Sequence, residues 1–339
     1  MLSVIVPNYN RAALIGETLD NLLRQTRAPD ELIVVDDGST DDSVREIERF
    51  GSRVTLIRQT NAGPAAARNR GLAASGGALI QFFDSDDLCS LNKLELQAWA
   101  LETTGADIAY GPWLQARLQD SGAAYAEQPL QQGPLPASHS AAAWMLRGWV
   151  IVLQCCLIRR SLLERTGPYR TDLLLGEDGE LLMRLLLAGA RLVHVPEALT
   201  LYRMHAGAQL SRGALDDRRH AAERLRFVEA VSQLVAGDAP GIGAADRAAW
   251  QRTLLAARRD CARLCVPDDH PARRGGETPP GAPLLHARQT LERWRAGAAL
   301  RLTGSRAPRP FRPGPLTAAQ RDQLRAIGYE PVRDPRVQG

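Results

Sequence analysis

The chain has 339 residues, 45% of them hydrophobic, with 42 lysine plus arginine against 38 aspartate plus glutamate, which suits one α/β core with an appended lobe. No run of about 18 uncharged apolar residues appears, which excludes an integral membrane helix, and the opening Met1-Leu2-Ser3-Val4-Ile5-Val6-Pro7 reads as folded sequence rather than as a signal peptide. Residues 1–212 carry 20 basic and 24 acidic side chains and residues 213–339 carry 22 and 14, so the net positive charge belongs to an arginine-rich C-terminal third suited to phosphates or anionic headgroups.

In chain order, Leu2–Val6, Glu31–Val35, Val54–Ile57 and Ala78–Phe83 are β-rich runs of strand length. Between them Ala12–Gln25, with Leu14, Leu19, Leu22 and Leu23 at helical spacing, Asp41–Phe50 and Pro64–Ala74 predict helices. This alternation predicts a mostly parallel sheet with helices on both faces and its ligand at the carboxyl ends of the strands. After Asp87 a helix is expected at Leu91–Thr103, a strand at Asp107–Tyr110, a loop at Ala116–Ser140, a short helix at Ala141–Arg147 and a strand at Val150–Ile158. Glu177–Leu187 reads as an amphipathic helix and Leu192–Val195 as strand-like. A mainly helical C-terminal extension, 213–339, follows the core at 1–212, with helices at Asp216–Leu234, Ala245–Leu264 and Leu284–Leu300 and a Pro/Gly-rich linker near 267–283. The five cysteines are an odd count; only Cys261 and Cys265 have metal-ligand spacing and no histidine completes a site, so free thiols and a reducing cytoplasm are expected.

Four clusters carry candidate chemistry. Val34-Val35-Asp36-Asp37-Gly38-Ser39 ends a buried strand in two carboxylates; Asp36 suits a turn, whereas Asp37 could accept hydrogen bonds from a base or a ribose. Asn61–Gly71 opens a helix with small residues, and Arg68 there could neutralise a diphosphate. The run Phe82-Phe83-Asp84-Ser85-Asp86-Asp87 places three carboxylates at one strand end, where they repel unless a cation joins them; Mg²⁺ or Mn²⁺ is the natural partner. Gly176-Glu177-Asp178 starts a helix, so its acids suit the macrodipole, and Asp178 could also serve as a general base. Further on, the His205 imidazole could complete the cation's coordination.

In order and spacing, Ser3–Asn10, Asp36–Ser39, Asn61–Gly71, Asp84–Asp87 and Glu177-Asp178 resemble the family 2 glycosyltransferases over about residues 1–210. The resemblance implies a Rossmann-like GT-A fold and an inverting enzyme that takes a nucleotide-sugar, usually a UDP-sugar. It implies that Pro7, Tyr9 and Asp37 line the base pocket, that Arg68 lies near the donor, and that Asp84 faces the ribose. Asp86, with Asp84 and His205, would hold a divalent cation, and Asp178 would be the catalytic base. A glycan, lipid-linked or other hydroxyl acceptor is expected, in glycan or cell-surface polysaccharide biosynthesis, with no nucleic acid. The Gln-x-x-Arg-Trp signature and membrane helices of processive synthases are absent, so single additions are expected. Localisation is read as cytoplasmic, with peripheral contact at the inner membrane face through the basic extension. A nucleotidyltransferase, or a non-catalytic scaffold keeping this fold, are the alternatives; a Gly-x-Gly-x-x-Gly turn for NAD is missing.

Overall fold

The computed structural model describes residues 1–118, 124–126, 134–149, 151–204, 217–265 and 316–329. Its first half alternates as expected: β1 (Leu2–Asn8), α1 (Ala12–Leu23), β2 (Glu31–Asp36), α2 (Ser43–Glu48), β3 (Thr55–Arg58), α3 (Pro64–Ala74) and β4 (Leu79–Phe82). Then come β5 (Leu88–Cys89), α4 (Lys93–Thr104), β6 (Ile108–Tyr110), β7 (Trp113–Leu118), β8 (Ala124–Ala126), α5 (Ala141–Leu146), β9 (Cys156–Arg159) and α6 (Arg160–Thr166). The chain continues through α7 (Glu177–Leu187), β10 (Leu192–His194), β11 (Thr200–Met204), α8 (Asp217–Leu234), α9 (Ala244–Cys265) and α10 (Ala318–Ala326).

Seven strands form the main sheet in the order β10-β6-β9-β4-β1-β2-β3, and β9 alone runs antiparallel to its neighbours. Strand order reverses between β1 and β4, the place where open α/β sheets take ligands in a crevice at the strands' carboxyl ends, and Arg11 after β1 meets Asp86 after β4 there. Both faces are covered. Leu2, Val4 and Val6 share a buried cluster with Ile15, Leu19 and Leu22 of α1 and with Leu94, Ala98 and Leu101 of α4. Ile5, Ile80, Phe82, Ile108 and Ile158 point the other way, toward α5, α7, α8 and α9. On that side α3 lies very close to the sheet: a Cβ at Gly71 would stand 2.4 Å from Ile5 Cγ2, so only glycine allows this approach.

A second sheet, β5-β11-β7-β8, stands beside the first. Two elements depart from the sequence reading, one in each sheet. The loop expected at Ala116–Ser140 includes β8 and the end of β7, because pairing with β11 supplies the order that local composition does not signal. The strand expected at Val150–Ile158 is confined to Cys156–Arg159; residues 153–155 form a 3-10 turn that delivers Gln154 to Asp87. Phe227, Val231, Trp250 and Leu254 of α8 and α9 belong to the same buried cluster as Leu181 and Leu185 of α7. Far along the chain, α10 opens on a capping box between Thr317 and Gln320, and Leu324 and Tyr329 pack on Leu88, Leu114 and Leu201 of the small sheet. The expected linker near 267–283 and helix at Leu284–Leu300 lie outside the described residues.

Candidate active site

The turn after β2 is built by its own side chains. Asp36 accepts from Asn8 Nδ2 at 2.9 Å and from Ser39 N at 3.1 Å, which confirms its turn role. Asp37, only 3% exposed, accepts from Gln59 Nε2 at 2.7 Å and from the backbone N–H groups of Ala62 and Gly63 at 2.8 Å each. Both its oxygens therefore fix the turn that starts α3 on Pro64. Pro7 is half-buried at the end of β1, and Tyr9 beside it leaves 45% of its surface exposed, so a planar group could lie on its ring.

The acidic turn after β4 gives its three carboxylates different environments. Asp84 accepts from Arg68 Nη2 at 2.9 Å, and Asp86 accepts from Arg11 Nε at 2.8 Å. Asp87 is fully buried and accepts from Gln154 Nε2 and from Arg203 N at 2.8 Å. Burial first, then the charges of Asp86 and Asp84, push the Asp87 carboxyl well above the usual range. Arg203 is also fully buried and ties the turn to α1, through the Asp86 carbonyl, Glu17 and Thr18 Oγ1 at 3.0 Å. Among the described residues no three His, Cys, Asp or Glu side chains gather as a ready metal cage. Asp84 and Asp86 nevertheless offer hard carboxylate oxygens at a strand end, the donor chemistry that Mg²⁺ and Mn²⁺ require. His205 lies outside the described residues, directly after Met204 of β11.

Arg68 joins this turn to α7. Its Nη1 donates to Glu177 at 3.0 Å and lies 3.7 Å from Asp178 Oδ1, while Nη2 holds Asp84. Its burial disfavours a charge, but Asp178, Tyr169, Asp84 and Glu177 outweigh that and keep the guanidinium firmly protonated. Tyr169 carries this guanidinium over its ring at 5.2 Å, and its backbone is pinned on both sides by Asn69 at 2.9 Å. Its hydroxyl lies against the Asp178 carboxylate; burial and that charge push the phenol well above its usual range. Asp178 Oδ1 is buried beside Arg68 Nη1, while the side chain as a whole stays 20% exposed, and that exposed part is what a substrate hydroxyl could reach. Gly176, at φ +80°, starts α7 against the ring of Phe227 in α8.

Tyr9, Asp84 and Asp86 thus sit on the loops after β1 and β4, Arg68 of α3 and Asp178 of the first turn of α7 reach the β4 loop, and Asp37 supports the turn that starts α3. Sequence reasoning missed Arg11, Tyr169, Gln154 and Arg203 as parts of the site. Arg203 stands two residues before His205, but only the fold shows that it reaches α1. Gln154 sat inside an apolar run, where a polar residue is itself a signal for a buried contact.

Residues 3–167 match the family model described as Glycosyl transferase family 2. Glycosyltransferase GlyA of Streptococcus pneumoniae is 30% identical over 245 residues, 69% of this chain and 34% of GlyA. The Escherichia coli protein WfgD, a UDP-Glc:alpha-D-GlcNAc-diphosphoundecaprenol beta-1,3-glucosyltransferase, is 37% identical over 113 residues, 33% of this chain and 45% of WfgD. The chain spans about a third or less of the length of several curated relatives, GlyA among them. Among solved structures, mannosyltransferase PcManGT from Pyrobaculum calidifontis, in complex with GDP-Man and Mn²⁺, aligns with a TM-score of 0.54 at 21% identity, over 89% of this chain and 85% of that one. The shared fold is the GT-A glycosyltransferase fold, and the family match spans β1 to α6 with Asp37, Arg68 and the acidic turn: residues 3–167 form a family 2 glycosyltransferase domain.

Proposed function

We propose that this protein transfers a sugar from a nucleotide-sugar, a UDP-sugar in the first instance, to an acceptor hydroxyl with inversion, one sugar per encounter. The observation that carries the reading is the buried Arg68, which brings Asp84 of the β4 turn and Glu177 and Asp178 of α7 to one guanidinium. Donor end and base end of the crevice are thereby one construction. Tyr9 offers its exposed ring to the base, with Pro7 beside it, and Asp37 fixes the turn that borders this pocket. Asp178 takes the proton of the acceptor hydroxyl as its oxygen attacks the anomeric carbon; the bond from that carbon to the diphosphate breaks in the same displacement, which inverts the centre. A divalent cation, when bound, neutralises charge on the leaving diphosphate. Asp86 and Asp84 would hold it, with His205 as a third ligand.

WfgD, a UDP-Glc glucosyltransferase, and PcManGT, in complex with GDP-Man, support a nucleotide-sugar donor, and the diphosphoundecaprenol-linked acceptor of WfgD supports a lipid-linked acceptor. No described helix is long and apolar enough to cross a membrane; such an acceptor would be met at the inner membrane face, aided by the basic charge of 213–339. Nucleotide release from UDP-glucose, UDP-N-acetylglucosamine and GDP-mannose, with candidate acceptors and Mn²⁺, tests the reading. Release by the wild type that Asp178→Asn lowers about 10²- to 10⁴-fold supports it; an undiminished rate in that variant removes Asp178 from the chemistry.

A further inference from the structure

Asp86 is engaged before any cation reaches it. Arg11 Nε donates to Asp86 Oδ2 at 2.8 Å, with the two side chains 18% and 12% exposed. The backbone that carries this guanidinium is fixed independently: Arg11 N donates to Ser43 Oγ at 2.8 Å, and Asn10, at φ +51°, accepts from Thr40 N at 2.8 Å. Asp86 is fixed likewise, since Arg203 and Thr18 hold the carbonyls of its turn. The contact between the two is thus made by side-chain ends on separately anchored loops, so exchanging it for another partner takes side-chain rotation and no loop movement. Arg11 stands between Tyr9, directly after β1, and the acidic turn, leaning by Nη1 on the Asn10 carbonyl at 3.0 Å. That is where a diphosphate joining a base on Tyr9 to a cation on Asp86 would run.

Resting on the reading of Asp86 as a cation ligand, we propose that Arg11 is the resting counter-ion of Asp86 and becomes a ligand of the donor diphosphate. A guanidinium on Oδ2 and a divalent cation compete for one oxygen and repel each other. The cation alone therefore binds against Arg11. A diphosphate gives the guanidinium a bidentate partner and frees the carboxylate, so nucleotide and cation load together, as reciprocal coupling requires. This makes Arg11 a device against cation binding in the absence of donor.

The test is Mn²⁺ binding to the full chain, followed by electron paramagnetic resonance, first without nucleotide and then with UDP or GDP. Arg11→Gln should bind Mn²⁺ alone about tenfold more tightly than the wild type, and Arg11→Lys, which keeps a competing charge, should stay near it. Adding Asp86→Asn to Arg11→Gln should abolish the gain. The nucleoside diphosphate should tighten Mn²⁺ binding more in the wild type than in Arg11→Gln, because only the wild type has a competitor to remove. Equal or weaker Mn²⁺ binding by a folded Arg11→Gln, or a gain that survives Asp86→Asn, overturns the proposal. If that happens while UDP or GDP still binds together with Mn²⁺, the transferase reading stands and the role of Arg11 falls; if neither nucleotide binds any form, the transferase reading falls first.

Discussion

Replacing Arg68 by alanine would leave Glu177, Asp84 and Asp178 without their shared cation, with Glu177 only 4% exposed at its side chain. Removing one partner of a buried ion cluster costs about 3–5 kcal/mol, so urea denaturation of Arg68→Ala should show a loss of that order; a loss below about 1 kcal/mol would contradict the cluster. Lysine should rescue poorly, since one ammonium cannot fork between the β4 turn and α7. Lys93, the only lysine, supplies a second residue-scale prediction. It is fully buried between Gln81 and Gln97, its Nζ 3.0 Å from Gln97 Oε1, and burial lowers its affinity for a proton below the ordinary lysine value of 10.5. A base with a depressed folded value makes stability rise with pH up to 10.5 and lose that contribution as pH falls through the folded value. The buried Cys89 and Cys155, pushed up to about 12 by burial, act in the opposite sense above 9.0. The comparison must therefore be with Lys93→Met: denaturation midpoints at pH 8.5 and 10.5 should show the wild type gaining on the variant, and parallel behaviour would refute a strained charge. Most of the site was legible at this scale, because Asp84, Asp86 and Asp178 announce themselves as carboxylates at element ends. Arg11 and Arg203 did not, because their partners lie 75 and 186 residues away and no local pattern records such contacts.

At the scale of elements, α7 is seated by one close approach. Gly176 has φ +80°, and a Cβ there would stand 2.5 Å from Phe227 Cδ2. Gly176→Ala should cost about 1–2 kcal/mol for the left-handed backbone and about 1–3 more for the clash. Phe227→Ala alone should cost about 3–5 kcal/mol through the cavity it leaves. In a double variant the clash disappears and the backbone strain remains, so the two costs should sum to less than their separate values; strict additivity would show that the ring does not seat the helix. The parallel core was readable because Leu2–Val6 and Ala78–Phe83 are continuous apolar runs, as strands buried on both faces must be. The pairing of β7 with β8 was not, and the strand at Val150–Ile158 was read too long at its start, because partners distant in sequence decide both. The capping pair Thr317 and Gln320 stood in the sequence and was a missed signal for α10.

For the whole molecule, α8 and α9 contribute Phe227, Val231, Trp250 and Leu254 to the cluster that contains Leu181 and Leu185 of α7. A chain ending at residue 212 would expose that apolar face, so it should aggregate or unfold well below the temperature of the full chain. A soluble fragment with an unchanged melting transition would show that the first 212 residues stand alone. The boundary at 212 was drawn from a change in charge, and charge on helix surfaces says little about what their inner faces cover. All these parts converge on one claim, that the crevice at the ends of β1 and β4 takes a nucleotide-sugar. Isothermal calorimetry of the full chain against UDP-glucose, UDP-N-acetylglucosamine and GDP-mannose, with and without Mn²⁺, tests it most directly. Binding of at least one donor, strengthened by Mn²⁺ and weakened by Asp86→Asn, is the predicted result; failure of every nucleotide-sugar to bind under both conditions would contradict it.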